Sequence, residues 1–164
     1  MNNKITIREC TENDCALLIE FIKQLAKYEN MLDQVTVTEE ILKDSLFNKN
    51  IAKAIIAEYD GTPCGYALYF YNFSTWHGKP GIYLEDLFVI PEYRSLGIGK
   101  ALFTYIAKIA YENNFVRFEW VCLDWNTPSI KFYESMGAKA MDEWTTYRLD
   151  GDNLKSAGDM YSKL

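Results

Sequence analysis

Between Ile82 and Leu102 the chain changes from one kind of order to another within a few residues. An apolar run rich in aromatic and branched side chains, Ile82 to Ile90, stops at Pro91. A glycine pair, Gly97 and Gly99, then opens a helical pattern that continues through Leu102, Ile106 and Ile109. Strand, short loop and helix start in that order set the backbone N–H groups of the Arg94–Lys100 turn at the positive end of a helix dipole, a ready site for phosphate. Gly97 and Gly99 lack a Cβ, so a ligand can approach the main chain closely there. Two familiar phosphate loops do not fit. A P-loop ending at Gly99-Lys100 needs glycine at Arg94 and a hydroxyl at Ala101, and the dinucleotide fingerprint needs a small residue at Leu102.

The rest of the composition narrows the class. The 164 residues are a single domain's worth, residues 1–164, and 49% are apolar and 24% charged, which predicts a soluble globular protein. No run of about 18 apolar residues and no apolar segment after the amino-terminal Met1-Asn2-Asn3-Lys4 argues for a membrane span or leader, so a cytoplasmic location without membrane contact is expected. Cys10, Cys15, Cys64 and Cys122 have no metal spacing, and His77 is the only histidine. No metal site is therefore expected, and the cysteines read as free thiols filling the core. The net charge of −6 argues against nucleic acid as a partner. It suits a cationic small molecule, although ordinary solubility charge explains it equally simply.

In chain order, Lys4–Arg8 alternates as a strand, and Thr11 caps a helix carrying Leu17, Leu18, Phe21, Ile22 and Leu25 to about Tyr28. Thr38 starts a shorter helix. Ile51–Tyr59 and Cys64–Phe73 form a hairpin about Asp60–Pro63. After the central strand come a helix over Gly97–Asn113 and a strand over Phe115–Leu123. A helix then opens at Asn126-Thr127-Pro128 and ends at Gly137, the last strands fall within Lys139–Leu149, and a polar stretch from residue 150 is a short helix or loose tail. The fold class is α/β, strictly α+β: a mixed, mostly antiparallel sheet with helices on both faces.

Arg94-x-x-Gly97-x-Gly99 after a strand, followed by Asn126-x-x-Ser129-x-x-x-Tyr133-x-x-x-Gly137-Ala138, resembles the two signatures of the GNAT superfamily of acetyl-CoA-dependent N-acetyltransferases. The resemblance spans essentially the whole chain. It implies a sheet whose central strand and its successor splay apart, with the cofactor, acetyl-CoA, lodged between them. By that resemblance the main chain of Leu87, Phe88 and Val89 pairs with pantetheine. The turn of Arg94, Ser95, Leu96, Gly97, Ile98, Gly99 and Lys100 holds the pyrophosphate, and Asn126 and Ser129 contact the cofactor. Relatives usually carry glycine at Ser95, which is harmless there provided its φ is negative.

The reaction so implied is attack of a primary amine on a thioester. An alkyl amine with a pKa near ~10.4 is neutral in roughly one molecule per few thousand at pH 7, so a proton must be removed, and the departing thiolate benefits from an acid. The resemblance makes Tyr133 that acid; the plainer alternative is an aromatic packed beside Ile130. Glu85, a charge inside an apolar strand, is the candidate water-linked base. In a regular pleat Asp86 points to the opposite face, and either carboxylate could instead be an ordinary ion-paired group.

Leu25-Ala26-Lys27-Tyr28-Glu29, Tyr83-Leu84-Glu85-Asp86 and Trp125-Asn126 further resemble the diamine (spermidine/spermine) and thialysine N-acetyltransferase group. In that group the positions of Tyr28, Glu29, Glu85, Glu119, Trp120 and Val121 line the amine site, although Tyr28-Glu29 also reads as an exposed helix end. Ser74-Thr75-Trp76 stands where the diamine branch tends to carry Asp-Pro-Trp, which favours a short lysine-like amino acid or small diamine over a long polyamine. The group also implies a homodimer, with Trp144–Leu149 as a contact. A non-catalytic acyl-CoA sensor and an acetyltransferase of protein lysines or N-termini are the remaining alternatives.

Overall fold

The apolar alternation of the first ninety residues becomes four strands paired in chain order. The computed structural model describes residues 4–161, which fall into two compact units meeting in sequence at Val121 and Cys122. In the first unit, β1 (Ile5–Glu9), β2 (Lys53–Tyr59), β3 (Thr62–Ser74) and β4 (Lys79–Val89) are antiparallel neighbours. The short β5 (Phe118–Glu119) completes the sheet, in order β1-β2-β3-β4-β5, by pairing parallel to β4.

Residues opposite each other on neighbouring strands share a face of the sheet. On one face Ile56, Tyr66 and Phe88 pack with Leu18 and Phe21 of α1 (Cys15–Tyr28) and Leu42 of α2 (Glu39–Lys43). The rings of Phe21 and Tyr66 stack with centroids 5.8 Å apart and 10° between planes. The other face is formed by Ile55, Ala67, Tyr69, Ile82 and Leu84, covered by α3 (Ile98–Glu112) with Ile98, Leu102 and Ile106 turned inward. These are the mixed sheet and the two helical layers expected from the sequence.

Two irregularities shape the site. The β3–β4 ladder slips: Leu68 faces Asp86 but Tyr69 faces Leu84, so Glu85 is an extra residue without a partner, a β-bulge. The β4–β5 ladder is also short. It joins Ile82 to Phe118 and Tyr83 to Glu119, and then β4 runs on to Val89 alone on that side. The strand expected over Phe115–Leu123 is therefore cut to two residues, because a strand exists only as far as its neighbour stays within hydrogen-bonding reach.

The second unit contains α4 (Thr127–Ser135) and α5 (Gly151–Tyr161). Asn126 caps α4 by accepting the Ser129 N–H, Pro128 sits in its first turn, and Gly137 beyond its end takes φ +87°. The strands expected within Lys139–Leu149 do not form among the described residues. Met141, Trp144, Tyr147 and Leu149 are exposed, and the segment has no ladder partner. Alternation signals a strand-ready segment but cannot supply the neighbouring edge. Residues 162–164 of the expected tail lie outside the described residues.

Gly65 holds β3 against β4: a Cβ there would lie 2.6 Å from the Phe88 carbonyl oxygen. Gly65→Ala should lower stability by about 1–3 kcal/mol through backbone displacement, read as a lower urea midpoint at unchanged slope; an unchanged midpoint would contradict the close approach.

Candidate active site

At the carboxyl end of β4 the chain passes through a 3₁₀ turn, Pro91–Tyr93, and enters α3. Gly97 at the helix N-cap has φ +90°, a conformation that favours glycine, and no side chain caps α3. The N–H groups of its first turn therefore have no acceptor within the helix and point outward with the dipole. A Cβ on Gly99 would meet only a Val89 methyl at 3.8 Å. The fold itself does not require glycine at 99, and its absent side chain leaves room over those donors. Ser95 differs from expectation: its φ is +63°, not negative. The loop retains the left-handed turn that glycine adopts easily and holds a serine in it at some conformational cost. Leu96 and Lys100 are exposed and Ile98 is buried, so Ile98 contributes its main chain alone.

Arg94 does not extend from this turn. Its Nε donates to the Val89 carbonyl at 3.0 Å, and its guanidinium lies 5.1 Å from the Tyr28 ring centre and 5.8 Å from that of Phe88. One side chain thus joins the turn that leads into α3 to the end of α1, where Tyr28 and Glu29 lie. A cavity of about 500 Å³ opens here, lined by Gln24, Lys27, Tyr28, Phe88, Pro91, Glu92 and Arg94.

The bulge decides where the β4 carboxylates go. Without it, Ile82, Leu84, Asp86 and Phe88 would share one face. The extra residue moves Asp86 and Phe88 to the α1 face, with Leu68 and Tyr66, and leaves Glu85 exposed. Asp86 Oδ2 accepts a 2.9 Å hydrogen bond from the buried Tyr66 hydroxyl. Burial, and then the negative charges of Glu85 and Glu29, push the Asp86 carboxyl up to about 6, with the Tyr66 bond pulling the other way. Burial also pushes Glu29 up. A regular pleat separates Glu85 from Asp86; in the bulged strand their charges interact. Among the described residues no lysine or arginine pairs with Glu29, Glu85 or Asp86.

Other expected site residues are engaged elsewhere. Glu119 lies 2.9 Å from Arg117 Nε and accepts from Asn72 Nδ2 at 2.8 Å, so a cation already faces it. Trp120 packs edge-on against Phe103 and Phe118. Val121 is exposed. In the second unit Tyr133 lies on α4, two turns beyond Asn126, with its ring 5.3 Å from that of Phe132. Leu87 to Val89 occupy the stretch of β4 beyond the β5 ladder. Sequence reading gave Asp86 less weight than Glu85 and overlooked Tyr66. The available signal was the adjacent acidic pair inside an apolar strand opposite a strand tyrosine; the bulge that connects them is not encoded in any single residue type.

Residues 19–138 match the Acetyltransferase (GNAT) family. A thialysine N-epsilon-acetyltransferase of Sus scrofa is 35% identical, covering 92% of this chain and 95% of its own. An L-ornithine N5-acetyltransferase of Arabidopsis thaliana is 30% identical over 92% of this chain and 86% of its own. An integron cassette protein from V. cholerae superposes with a TM-score of 0.79 at 27% identity, covering 94% of this chain and 98% of that one.

Because the folded Asp86 carboxyl titrates about 2 pH units above its ordinary 3.8, folding favours its protonated form. Its burden is absent below about pH 4, grows between pH 4 and 6, and is complete above 6. Asp86→Asn, which can still accept from Tyr66, should therefore stabilise the protein by on the order of 2–3 kcal/mol at pH 8 and by almost nothing at pH 4. Denaturation midpoints at the two pH values measure this; an equal effect at both would refute the shifted carboxyl.

Proposed function

The chain belongs to the GNAT acetyltransferase family, and on that premise we propose that it transfers acetyl from acetyl-CoA to the terminal primary amine of a short aminoalkyl substrate, a lysine-like amino acid or small diamine. The observation that carries the reading is the lone edge of β4 past Tyr83, which leads directly to the uncapped first turn of α3. A thioester arm with a pyrophosphate needs such a pairing edge and such a set of donors in that order. The residues that would hold it are Leu87, Phe88 and Val89 through their main chain, the turn Arg94-Ser95-Leu96-Gly97-Ile98-Gly99-Lys100, and Asn126 and Ser129. Bound there, acetyl-CoA supplies the activated acyl group.

The unpaired carboxylates Glu29, Glu85 and Asp86 offer the ammonium group of the acceptor a negative pocket, and Tyr28 offers an aromatic wall for its methylenes. Glu85, exposed on the bulge, would take a proton from the ammonium through water, freeing the nitrogen to bond to the acyl carbon. Tyr133, assigned by its place in the second signature, would give its proton to the leaving thiolate and regain one from the acetylated nitrogen. Glu119, already facing Arg117, is the weakest member of the expected acceptor set. The thialysine and ornithine acetyltransferases among the relatives support an amino acid with a short aminoalkyl side chain. A cytoplasmic location follows from an intracellular donor. A homodimer is supported by the exposed, unladdered Trp144–Leu149 segment.

Following free thiol while protein and acetyl-CoA meet thialysine, ornithine, lysine, short diamines and spermidine tests this directly. Release with the short amines is expected; cofactor binding without release under any amine indicates a sensor instead. Tyr133→Phe and Glu85→Gln should each lower kcat by roughly 10²–10⁴-fold with acetyl-CoA binding retained; wild-type turnover in either variant removes that residue from its role. Light scattering on the eluted protein should give twice the chain mass, and a monomer would overturn the dimer.

A further inference from the structure

Tyr66 is 0% exposed, yet it carries a hydroxyl, which a core residue does not need for packing. Its ring is fixed without that oxygen: it stacks on Phe21 at 5.8 Å and meets Phe88 at 6.5 Å. The hydroxyl has one partner, Asp86 Oδ2 at 2.9 Å. Burial together with the neighbouring Asp86 charge keeps the phenol protonated and hence a donor. Only the bulge at Glu85 brings Asp86 to this face. Three groups act on the carboxyl: Tyr66 from β3, Glu85 from β4 and Glu29 at the end of α1. The charged groups Lys27, Glu92 and Arg94 line the cavity that Phe88, two residues further along β4, also lines. Of the three that act, the two carboxylates oppose ionisation and the phenol favours it.

We propose that Tyr66 is a positioning residue of the acceptor site, whose buried hydroxyl commits one Asp86 oxygen to the core so that the carboxylate stays ionised and aimed at the acceptor's ammonium group. This rests on the amine acetyltransferase reading above and deepens it. Asp86 becomes the group that binds the cation, while the exposed Glu85 remains free for proton transfer. Tyr66 touches no substrate and acts wholly through Asp86.

Tyr66→Phe removes one oxygen and leaves the stacked ring in place. With the donor gone, the Asp86 carboxyl should titrate higher, so the acidic limb of kcat/KM for the amine should move up by about one pH unit. At pH 6.5 the amine KM should rise roughly threefold and converge on the wild-type value by pH 8.5, with the KM for acetyl-CoA unmoved. A role confined to packing would lower the melting temperature without moving the limb. In an Asp86→Asn background the same substitution should leave the amine KM unchanged, because its only route of action is gone. A carboxyl-carbon NMR titration of Asp86 in both proteins should show the same upward shift and does not depend on turnover. The assignment is overturned if the limb and the Asp86 titration stay where they are, or if Tyr66→Phe acts undiminished in the Asp86→Asn protein. Wild-type protein that acetylates no amine overturns the acetyltransferase reading and the role of Tyr66 with it. Wild-type turnover with an unaffected Tyr66→Phe variant overturns Tyr66 alone.

Discussion

Over their paired stretch β4 spends one residue more than β3, Lys79–Val89 against Gly65–Ser74, and the β5 ladder on its other side ends six residues before β4 does. The first mismatch turns a run that would bury four side chains on one face into two pairs on opposite faces. Ile82 and Leu84 serve the core under α3, while Asp86 and Phe88 serve the core under α1. The second leaves main-chain donors and acceptors of β4 beyond Tyr83 without a ladder partner on that side. Neither irregularity helps the fold. Both serve the proposed binding of an amine and a thioester arm.

The same trade recurs at smaller scale. Asp86 would be more comfortable in water, because burial and the charges of Glu85 and Glu29 disfavour its ionised form. Tyr66 returns part of that through one hydrogen bond. Ser95 holds a left-handed backbone angle that suits glycine better, at the entrance to the helix whose first N–H groups face outward. Strain and desolvation collect at one end of β4, and the remainder of the first unit, with its paired strands and stacked rings, supports them.

The sheet and its helical layers were legible because their signals are periodic. Leu18, Phe21 and Leu25 repeat at helical spacing, and Pro91, Gly97 and Asn126-Thr127-Pro128 punctuate the elements chemically. The turn into α3 was legible for the same reason: glycines and a helix start occupy fixed offsets. What escaped notice depends on relations between distant residues. The bulge at Glu85 is a property of the β3–β4 register, so the partnership of Asp86 with Tyr66, twenty residues away, follows no local pattern. Residues 139–149 alternate like a strand but have no neighbour to make them one. Glu119 reads as a free acid until Arg117, two residues before it, is seen on the same side of a short strand.

Amide hydrogen exchange with and without acetyl-CoA distinguishes whether the lone edge of β4 receives the acyl donor. Amides between Leu84 and Val89 that do not bond to β3 should exchange rapidly in the free protein and slow by at least tenfold on saturation, together with those of Ile98–Lys100. Saturating acetyl-CoA that slows neither stretch would contradict the account at its foundation.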